Sequence, residues 1–255
     1  MERRSASVRK IVVTRYVTPL REGGSLPAIV EGDDNGLYVL KFRGAGQGAK
    51  ALVAELVAGE LARSAGMLVP EIVFAELDPD LARTEPDPEI QELIRASAGL
   101  NLALDYLPGS VMFDPVADAP EGFLASSIVW FDALVSNIDR TAKNTNLLMW
   151  HGQLWMIDHG AAMYFHHATD DFVARARERF AAVKDHVLLR FADAIEEADT
   201  VLCPRLTREV VEQAVALIPA EWAANPGRYT DYFMARLESP RAFVEEAIRA
   251  RTEQL

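Results

Sequence analysis

Three side chains in the middle of the chain have the types and spacing that phosphoryl-transfer chemistry requires. Asp139 is followed five residues later by Asn144, and Asp158 ends the short apolar run Leu154–Ile157. A carboxylate can orient and deprotonate an attacking hydroxyl, and an amide and a second carboxylate supply the oxygen ligands that Mg²⁺ takes beside nucleotide phosphates. We therefore predict Asp139 as the catalytic carboxylate and Asn144 and Asp158 as metal ligands.

Each of the three residues also has an ordinary structural interpretation. Asp139 is followed by Arg140, so it could be a turn residue in a surface ion pair. Asn146 is a rival to Asn144 as the metal ligand, since it leads directly into the next apolar run. The order of all three beside a predicted hairpin favours the metal site.

A lysine in the N-terminal part could contact the same nucleotide. Lys41 lies in the apolar run Tyr38–Phe42, and a cation there can bridge phosphates if an acidic partner holds it. Glu55 on the following predicted helix is the preferred partner, and Glu60 is the alternative. Strand alternation turns Lys41 away from its two apolar neighbours, so a solvent-facing lysine is equally compatible with the pattern.

Two glycine-rich turns could cradle phosphate with their backbone N–H groups. Gly23, Gly24 and Ser25 lie in the first predicted hairpin turn, where they would cover a bound nucleotide. The second turn, Gly44–Gly48, joins the lysine-bearing strand to the next helix.

The second turn also supports a different class of protein, a Rossmann oxidoreductase. Its glycines and Ala49 fit the dinucleotide fingerprint, and Glu76 or Asp78 could bind the ribose. However, the first Rossmann strand is buried on both faces, and Lys41 fits such a strand poorly. The Rossmann fold is therefore the less favoured alternative.

The elements predicted around these residues change character along the chain. Turn signals and alternation predict strands, and 3.6-residue periodicity predicts helices. The acidic, proline-containing segment 78–92 is predicted to be a loop. We predict strands at 11–17, 26–31, 37–42, 69–77, 100–107, 147–150 and 154–157, helices at 49–65 (ending at Gly66) and 121–136, and mostly helix after 170. The predicted boundary divides a β-rich part, residues 1–107, from a mostly helical part, residues 108–255.

The composition argues against several classes of protein function. The 255 residues carry a net charge of −12, which argues against direct nucleic-acid binding because phosphate neutralisation needs clustered cations. The single cysteine, Cys203, excludes an intrachain disulfide and a cysteine metal cluster. We found no convincing signal peptide or membrane span in the sequence, and we expect a soluble cytoplasmic protein.

The chain resembles the HipA-like kinases, a branch of the protein-kinase-like fold that is similar to phosphatidylinositol kinases in its catalytic loop. The resemblance covers about residues 20 to 165 and is most specific in the catalytic segment. The matching segments are Leu40–Phe42, Ala54–Leu56, Leu61–Glu71, Asp105–Gly109, Asn137–Asn144 and Ile157–Gly160.

The resemblance implies an α+β, bilobal protein-kinase-like fold, with a small β-rich N-terminal lobe containing one helix and a mostly helical C-terminal lobe. It implies ATP and Mg²⁺ as cofactors. In the nucleotide site, the resemblance implies that Lys41, with Glu55 as its partner, contacts the nucleotide phosphates and that Gly23, Gly24 and Ser25 form a loop that covers them. It implies a hinge at Asp105, Tyr106 and Leu107. It also implies catalysis by Asp139 and metal binding by Asn144 and Asp158.

The acceptor of the phosphate is less defined than the nucleotide site. We expect transfer to a hydroxyl, chiefly Ser or Thr of a protein, with a small-molecule kinase and a nucleotide-binding pseudokinase as alternatives. The chain is shorter than the full toxin kinases, and His159 stands where protein kinases have Phe. The resemblance identifies no particular antitoxin-like partner, and no membrane association is expected.

Overall fold

The computed structural model describes residues 8–20 and 26–254 and has a mixed α+β architecture. Its strands are β1 (Arg9–Pro19), β2 (Ala28–Gly32), β3 (Leu37–Lys41), β4 (Ile72–Leu77), β5 (Gly99–Asp105), β6 (Val111–Met112), β7 (Leu147–Trp150) and β8 (Gln153–Met156). Its α-helices are α1 (Ala49–Ala65), α2 (Pro88–Ala96), α3 (Gly122–Val135), α4 (Phe172–Ala176), α5 (Ile195–Leu202), α6 (Arg208–Ala216), α7 (Gly227–Leu237) and α8 (Ala242–Gln254).

The five N-terminal strands close into a barrel in the order β1-β2-β3-β5-β4. The predicted antiparallel hairpins β1–β2 and β2–β3 are confirmed. The barrel closes because β1 also pairs with β4 in parallel, with Ile11 opposite Ala75. Alternate side chains such as Ile11, Val30 and Leu40 point inward and form the barrel core. The closure was not predicted, because it depends on a pairing between strands about sixty residues apart.

Helix α1 follows the barrel strand that carries Lys41, and its predicted bounds are confirmed. Gly66 ends the helix with φ of 97°, a left-handed conformation that glycine adopts at low cost. Gly59 allows the helix to approach β4, since a Cβ there would lie 2.4 Å from Ile72 Cδ1. Buried residues of α1, including Leu56 and Leu61, belong to the same apolar core as α3 and the C-terminal helices. This packing fixes the helix between the barrel and the helical part.

A small second sheet, β6-β7-β8, carries the residues around the candidate metal site. The predicted β7–β8 hairpin is confirmed, and it turns at His151 and Gly152, both with positive φ. Helix α3 agrees with the predicted helix at 121–136, and the region after residue 170 is mostly helical as expected. The two-residue strand β6 was too short to be predicted from alternation.

The prediction of a loop at 78–92 is wrong. A 3₁₀ helix occupies Pro79–Thr84, and α2 begins at Pro88. Asp78 and Asp87 each accept a hydrogen bond from the backbone N–H two residues later, and each precedes a proline at the first helical position. These prolines begin helices, because proline is pre-organised for the first helical position and loses no needed hydrogen bond there.

Within the described residues, no helix combines the length and apolar character that crossing a membrane would require. The division at residue 107 stays a prediction.

Candidate active site

Lys41, Glu55, Asp158 and His159, which we call the cleft cluster, lie together between the barrel and the β7–β8 hairpin. Lys41 Nζ is 2.7 Å from Asp158 Oδ1 and 3.6 Å from Glu55 Oε2. Glu55 comes from α1, and Asp158 follows β8 with φ of 54°. Aspartate tolerates this left-handed conformation better than most residues. The strand end, the helix and the hairpin thus place one cation between two carboxylates.

The charges of this cluster stabilise one another although the site is largely buried. Burial by itself would lower the pKa of Lys41, but the carboxylates of Asp158 and Glu55 raise it above its ordinary value. Burial would raise the pKa of Glu55, whereas the Lys41 charge and the His159 contacts lower it to about 2. Both side chains are therefore ionised near neutral pH, and Lys41 is a cation available to a ligand.

His159 holds Glu55 through its backbone. Its N–H donates to Glu55 Oε1 at 3.0 Å, and the ring Nδ1 is 3.5 Å from the same oxygen. The ring is fully buried against Phe131, and neither ring nitrogen forms a hydrogen bond within the described part of the chain. Glu55 Oε2 likewise accepts no hydrogen bond there, so the cleft cluster contains buried polar atoms that are incompletely paired.

Asp139 lies in the loop between α3 and β7, where two amide side chains face it. Asn144 Nδ2 donates to Asp139 Oδ2 at 2.7 Å, and Asn146 Nδ2 approaches the same oxygen at 3.3 Å. Asn146 is buried, with φ of 48°, and Asn144 is half-buried. Both amides are thus close enough to orient the carboxylate, and the structure leaves both as candidate metal ligands.

Arg140 does not form a surface ion pair, because its side chain is fully buried. Its Nε donates to Asp132 Oδ2 at 2.5 Å, and Nη1 donates to the backbone carbonyls of Asn146 and Ile157. His186 Nε2 lies 2.9 Å from the same Asp132 oxygen. These contacts connect the Asp139 loop to the residue that precedes β7 and to the residue that follows β8.

We call Asp132, Asn137, Arg140 and His186 the support cluster. Asn137 Nδ2 completes it by donating to Asp132 Oδ1 at 3.1 Å. Burial would raise the pKa of Asp132, but the Arg140 charge and the His186 hydrogen bond hold it well below its usual range. Sequence reasoning missed this cluster. The available signal was a lone carboxylate, Asp132, in an otherwise apolar and buried stretch of α3.

A cavity of about 530 Å³ opens beside the cleft cluster and meets the predicted hinge. Leu104, Asp105, Tyr106 and Leu107 line one side, and Val39 and Leu148 contribute apolar surface. Among described residues, the backbone N–H of Leu107 has no acceptor, whereas those of Asp105 and Tyr106 donate to Glu71 and Leu37. The cavity therefore offers a flat ligand apolar walls and, at Leu107, a backbone N–H that is not already paired within the described residues.

The structure brings most of the predicted site residues together. Lys41, Asn144 and Asp158 line the hinge-side cavity with Asp105, Tyr106 and Leu107, and Glu55 and Asp139 lie beside it. Glu60 is not near Lys41. Its carboxylate is 3.8 Å from Arg63, and burial raises its pKa. The predicted phosphate-covering residues Gly23, Gly24 and Ser25 lie outside the described residues.

Comparison with known proteins identifies the family. The family model described as HipA-like kinase matches residues 13–247. The chain therefore belongs to the HipA-like kinase family. No curated protein sequence matches it significantly.

Solved kinase structures share the fold at low sequence identity. The Helicobacter pylori proinflammatory kinase CtkA is 13% identical, with a TM-score of 0.54 over 98% of this chain and 99% of that one. A Golgi casein kinase is 8% identical, with a TM-score of 0.51 over 97% and 74%. The same kinase with Mn and ADP bound is 9% identical, with a TM-score of 0.51 over 96% and 72%. The fold is thus a kinase fold.

Proposed function

We propose that this kinase transfers the γ-phosphate of ATP to a hydroxyl group in a magnesium-dependent reaction. The observation that carries the proposal is the position of Lys41 Nζ, 2.7 Å from Asp158 and 3.6 Å from Glu55, in a side chain that lines the hinge-side cavity. A buried ammonium held by two carboxylates is suited to contact nucleotide phosphates, because its charge and position are both set before the ligand arrives.

The oxygen-rich donor set of this site fits a magnesium ion. Asp158 and either Asn144 or Asn146 would hold the ion, with phosphate oxygens completing its shell. When bound, the ion neutralises phosphate charge and orients the transferring group. The protein's own contribution is to hold Asp158 through Lys41 and to hold both amides beside Asp139.

Asp139 is the group we assign to the acceptor hydroxyl. Its Oδ2 already accepts from the two amides, and its backbone N–H donates to Asn137 Oδ1 at 3.2 Å. A carboxylate fixed in this way can orient the hydroxyl and accept its proton as the new P–O bond forms. Catalysis would then come mainly from positioning and charge neutralisation.

The proposal includes the bilobal arrangement expected for this family. The barrel with α1 would be the nucleotide-binding lobe, and Asp105, Tyr106 and Leu107 the hinge that contacts adenine. Gly23, Gly24 and Ser25 would cover the phosphates. We propose Ser or Thr of a protein as the acceptor, on the strength of the family. A cytoplasmic location stays a prediction from the sequence.

Phosphate transfer from labelled ATP to a host lysate tests the activity and the acceptor together. We expect label in protein, in a Mg²⁺-dependent manner, and label only in small molecules would instead support the small-molecule kinase. Asp139→Asn should lower transfer at least about 100-fold while Mg²⁺–ATP binding persists. Asp158→Ala should abolish the Mg²⁺-dependent part of ATP binding.

A matched control for these variants is Asp80→Asn, which changes an exposed carboxylate whose only ion pair among the described residues is with Arg83. It should transfer phosphate at the wild-type rate. Full transfer by Asp139→Asn would refute its catalytic role. Thermal stabilisation by NAD but not by ATP would refute the nucleotide site as proposed.

A further inference from the structure

A second cavity, of about 330 Å³, lies on the other side of Lys41 from the hinge. It is lined by the loop between β3 and α1, by the first turn of α1, and by Asp139 and Gly160. Lys41, Asn144 and Asp158 line both cavities, whereas Asp139 and Glu55 line only this one. The second cavity is therefore the end of the cleft at which phosphoryl transfer would occur.

From this placement we propose that the Gly44–Gly48 loop and the first turn of α1 bind the terminal phosphates of the nucleotide. The inference rests on the proposed function and adds to it a phosphate-binding element between β3 and α1. It differs from the expected phosphate-covering segment at Gly23, Gly24 and Ser25, which lies in sequence between β1 and β2 and outside the described residues.

Backbone donors at this loop are free to bind an anion. Among described residues, the N–H groups of Gly46, Gln47, Ala49 and Lys50 donate to no acceptor. Gly48 is the N-cap of α1, so no side chain caps the helix, and no acidic residue occupies its first turn. The partial positive charge at the start of this 17-residue helix is thus left uncompensated, which favours a bound anion.

The charge of the cavity explains why neutral donors are needed. Glu55, Asp139 and Asp158 are three carboxylates, and Lys41 is the one cation among the described residues that line it. Phosphate is anionic, so the carboxylates alone would repel it. Backbone N–H groups and the helix start add attraction without a further side chain.

A second observation is that a buried polar group with an unfilled hydrogen-bonding position lines the same cavity. Glu55 is 1% exposed and lines it, and Glu55 Oε2 accepts no hydrogen bond from the described residues. The first turn of α1 approaches this point closely, since a Cβ on Gly160 would lie 3.8 Å from both Ala51 O and Glu55 Oε2. Lys41 Nζ lies 3.6 Å from this oxygen, outside hydrogen-bond distance, so the oxygen is incompletely paired, and the metal ion that accompanies the terminal phosphates would supply a further cation here.

The loop is anchored before any ligand binds. Arg43 N donates to Asn101 Oδ1 at 2.8 Å, and Gly44 N donates to Ser97 Oγ at 3.0 Å. Gly46 and Gly48 have φ of 40° and 67°, conformations in which successive N–H groups can converge on an anion. Binding would therefore require little ordering of this backbone.

Titration calorimetry with Mg²⁺–ATP and with adenosine tests the inference. Gln47→Glu is nearly isosteric and adds a negative charge at an exposed position that lines the cavity. We expect its affinity for Mg²⁺–ATP to fall about tenfold and its affinity for adenosine to stay unchanged, because adenosine lacks phosphates. The control Gln153→Glu makes the same charge change at an exposed residue beside the β7–β8 turn that lines neither cavity, and it should bind both ligands like the wild type.

A second variant tests the backbone itself. In Gly46→Ala the added methyl group meets no atom within 4 Å, so any effect comes from the strain of φ at 40°. We expect a several-fold loss of Mg²⁺–ATP affinity with unchanged adenosine binding. Gly152→Ala is the matched control, since Gly152 also has positive φ and open space but lies in the β7–β8 turn.

Four outcomes separate the inference from the proposed function. Selective loss of Mg²⁺–ATP affinity in both loop variants supports the inference. Wild-type affinity in both, with phosphate transfer by the wild type intact, overturns the inference and leaves the proposed function standing. Unchanged nucleotide affinity with a raised KM for the acceptor also overturns it, because the loop would then contact the acceptor. Failure of the wild-type protein to bind Mg²⁺–ATP overturns both.

Discussion

The cleft cluster and the support cluster are two groups of buried charges that differ in how completely their polar atoms are paired. In the support cluster, Asp132 and Arg140 are both fully buried, and Asp132 accepts from Arg140, Asn137 and His186. In the cleft cluster, Glu55 Oε2 and both ring nitrogens of His159 have no hydrogen bond among the described residues.

The difference separates a structural role for the support cluster from a ligand-binding role for the cleft cluster. A buried charge is tolerated only when it is paired and hydrogen-bonded, and the support cluster meets that condition without a ligand. The cleft cluster meets it only in part, and Asp158 there remains about one-third exposed. We infer that the first cluster fixes the Asp139 loop and that the second keeps Lys41 and Asp158 available to a bound substrate.

The largest expected effect is the loss of the carboxylate in the support cluster. Asp132→Asn leaves the buried Arg140 guanidinium without a counter-charge, and we expect the free energy of unfolding to fall by about 3–5 kcal/mol. Urea-induced unfolding measures this change. The control is Asp199→Asn, because Asp199 pairs with Arg241 at a partly exposed position, and its loss should cost clearly less. Equal losses for the two variants would contradict a special role for the support cluster.

Glu55 is expected to contribute less to the free energy of unfolding than Asp132 does, and unfolding at a series of pH values measures this contribution. Its pKa is lowered from 4.5 to about 2 in the folded protein, so the folded state binds the proton more weakly than the unfolded state does. The resulting stability is fully present above about pH 4.5 and is lost as the pH falls toward 2, with a total on the order of 3 kcal/mol.

The measurement is urea unfolding between pH 2 and 7 without nucleotide or metal. In Glu55→Gln the free energy of unfolding should fall less steeply as the pH is lowered from 4.5 to 2 (the acid limb of the profile), and it should be lower than that of the wild type at pH 7. Glu238→Gln changes an exposed glutamate and should leave the limb unchanged. An identical acid limb in the wild type and Glu55→Gln would show that the Lys41–Glu55 pair contributes nothing to stability.

The smallest expected effect concerns the ring of His159. His159→Phe removes two buried nitrogens that lack hydrogen bonds, together with the Nδ1 contact 3.5 Å from Glu55 Oε1, and keeps the backbone N–H that holds Glu55, so we expect a net gain of no more than about 1 kcal/mol. Thermal unfolding measures the gain, and Mg²⁺–ATP affinity should stay near the wild-type value. A loss of stability would indicate that the ring nitrogens have partners that the cleft cluster, as we describe it, does not include.

Local patterns in the sequence were sufficient to predict several elements of the site. The periodicity of α1 and the glycine at 66 predicted both ends of that helix, because helices are encoded by neighbouring residues. Asp139, Asn144 and Asp158 are close in sequence, and their order is what the chemistry requires. The loop predicted at 78–92 was wrong because two of its three prolines, Pro79 and Pro88, follow Asp78 and Asp87, which cap helices.

Contacts between distant parts of the chain were decided only by the tertiary structure. Glu55 meets the backbone of His159 across 104 residues, and Asp132 meets His186 across 54. Whether Arg140 lies on the surface or in the core also depends on what folds over it, since the same Asp139–Arg140 pair is compatible with either. The sequence thus determined which groups could carry the chemistry, and the fold decided which of them are buried together, because burial and pairing depend on segments that local pattern does not relate.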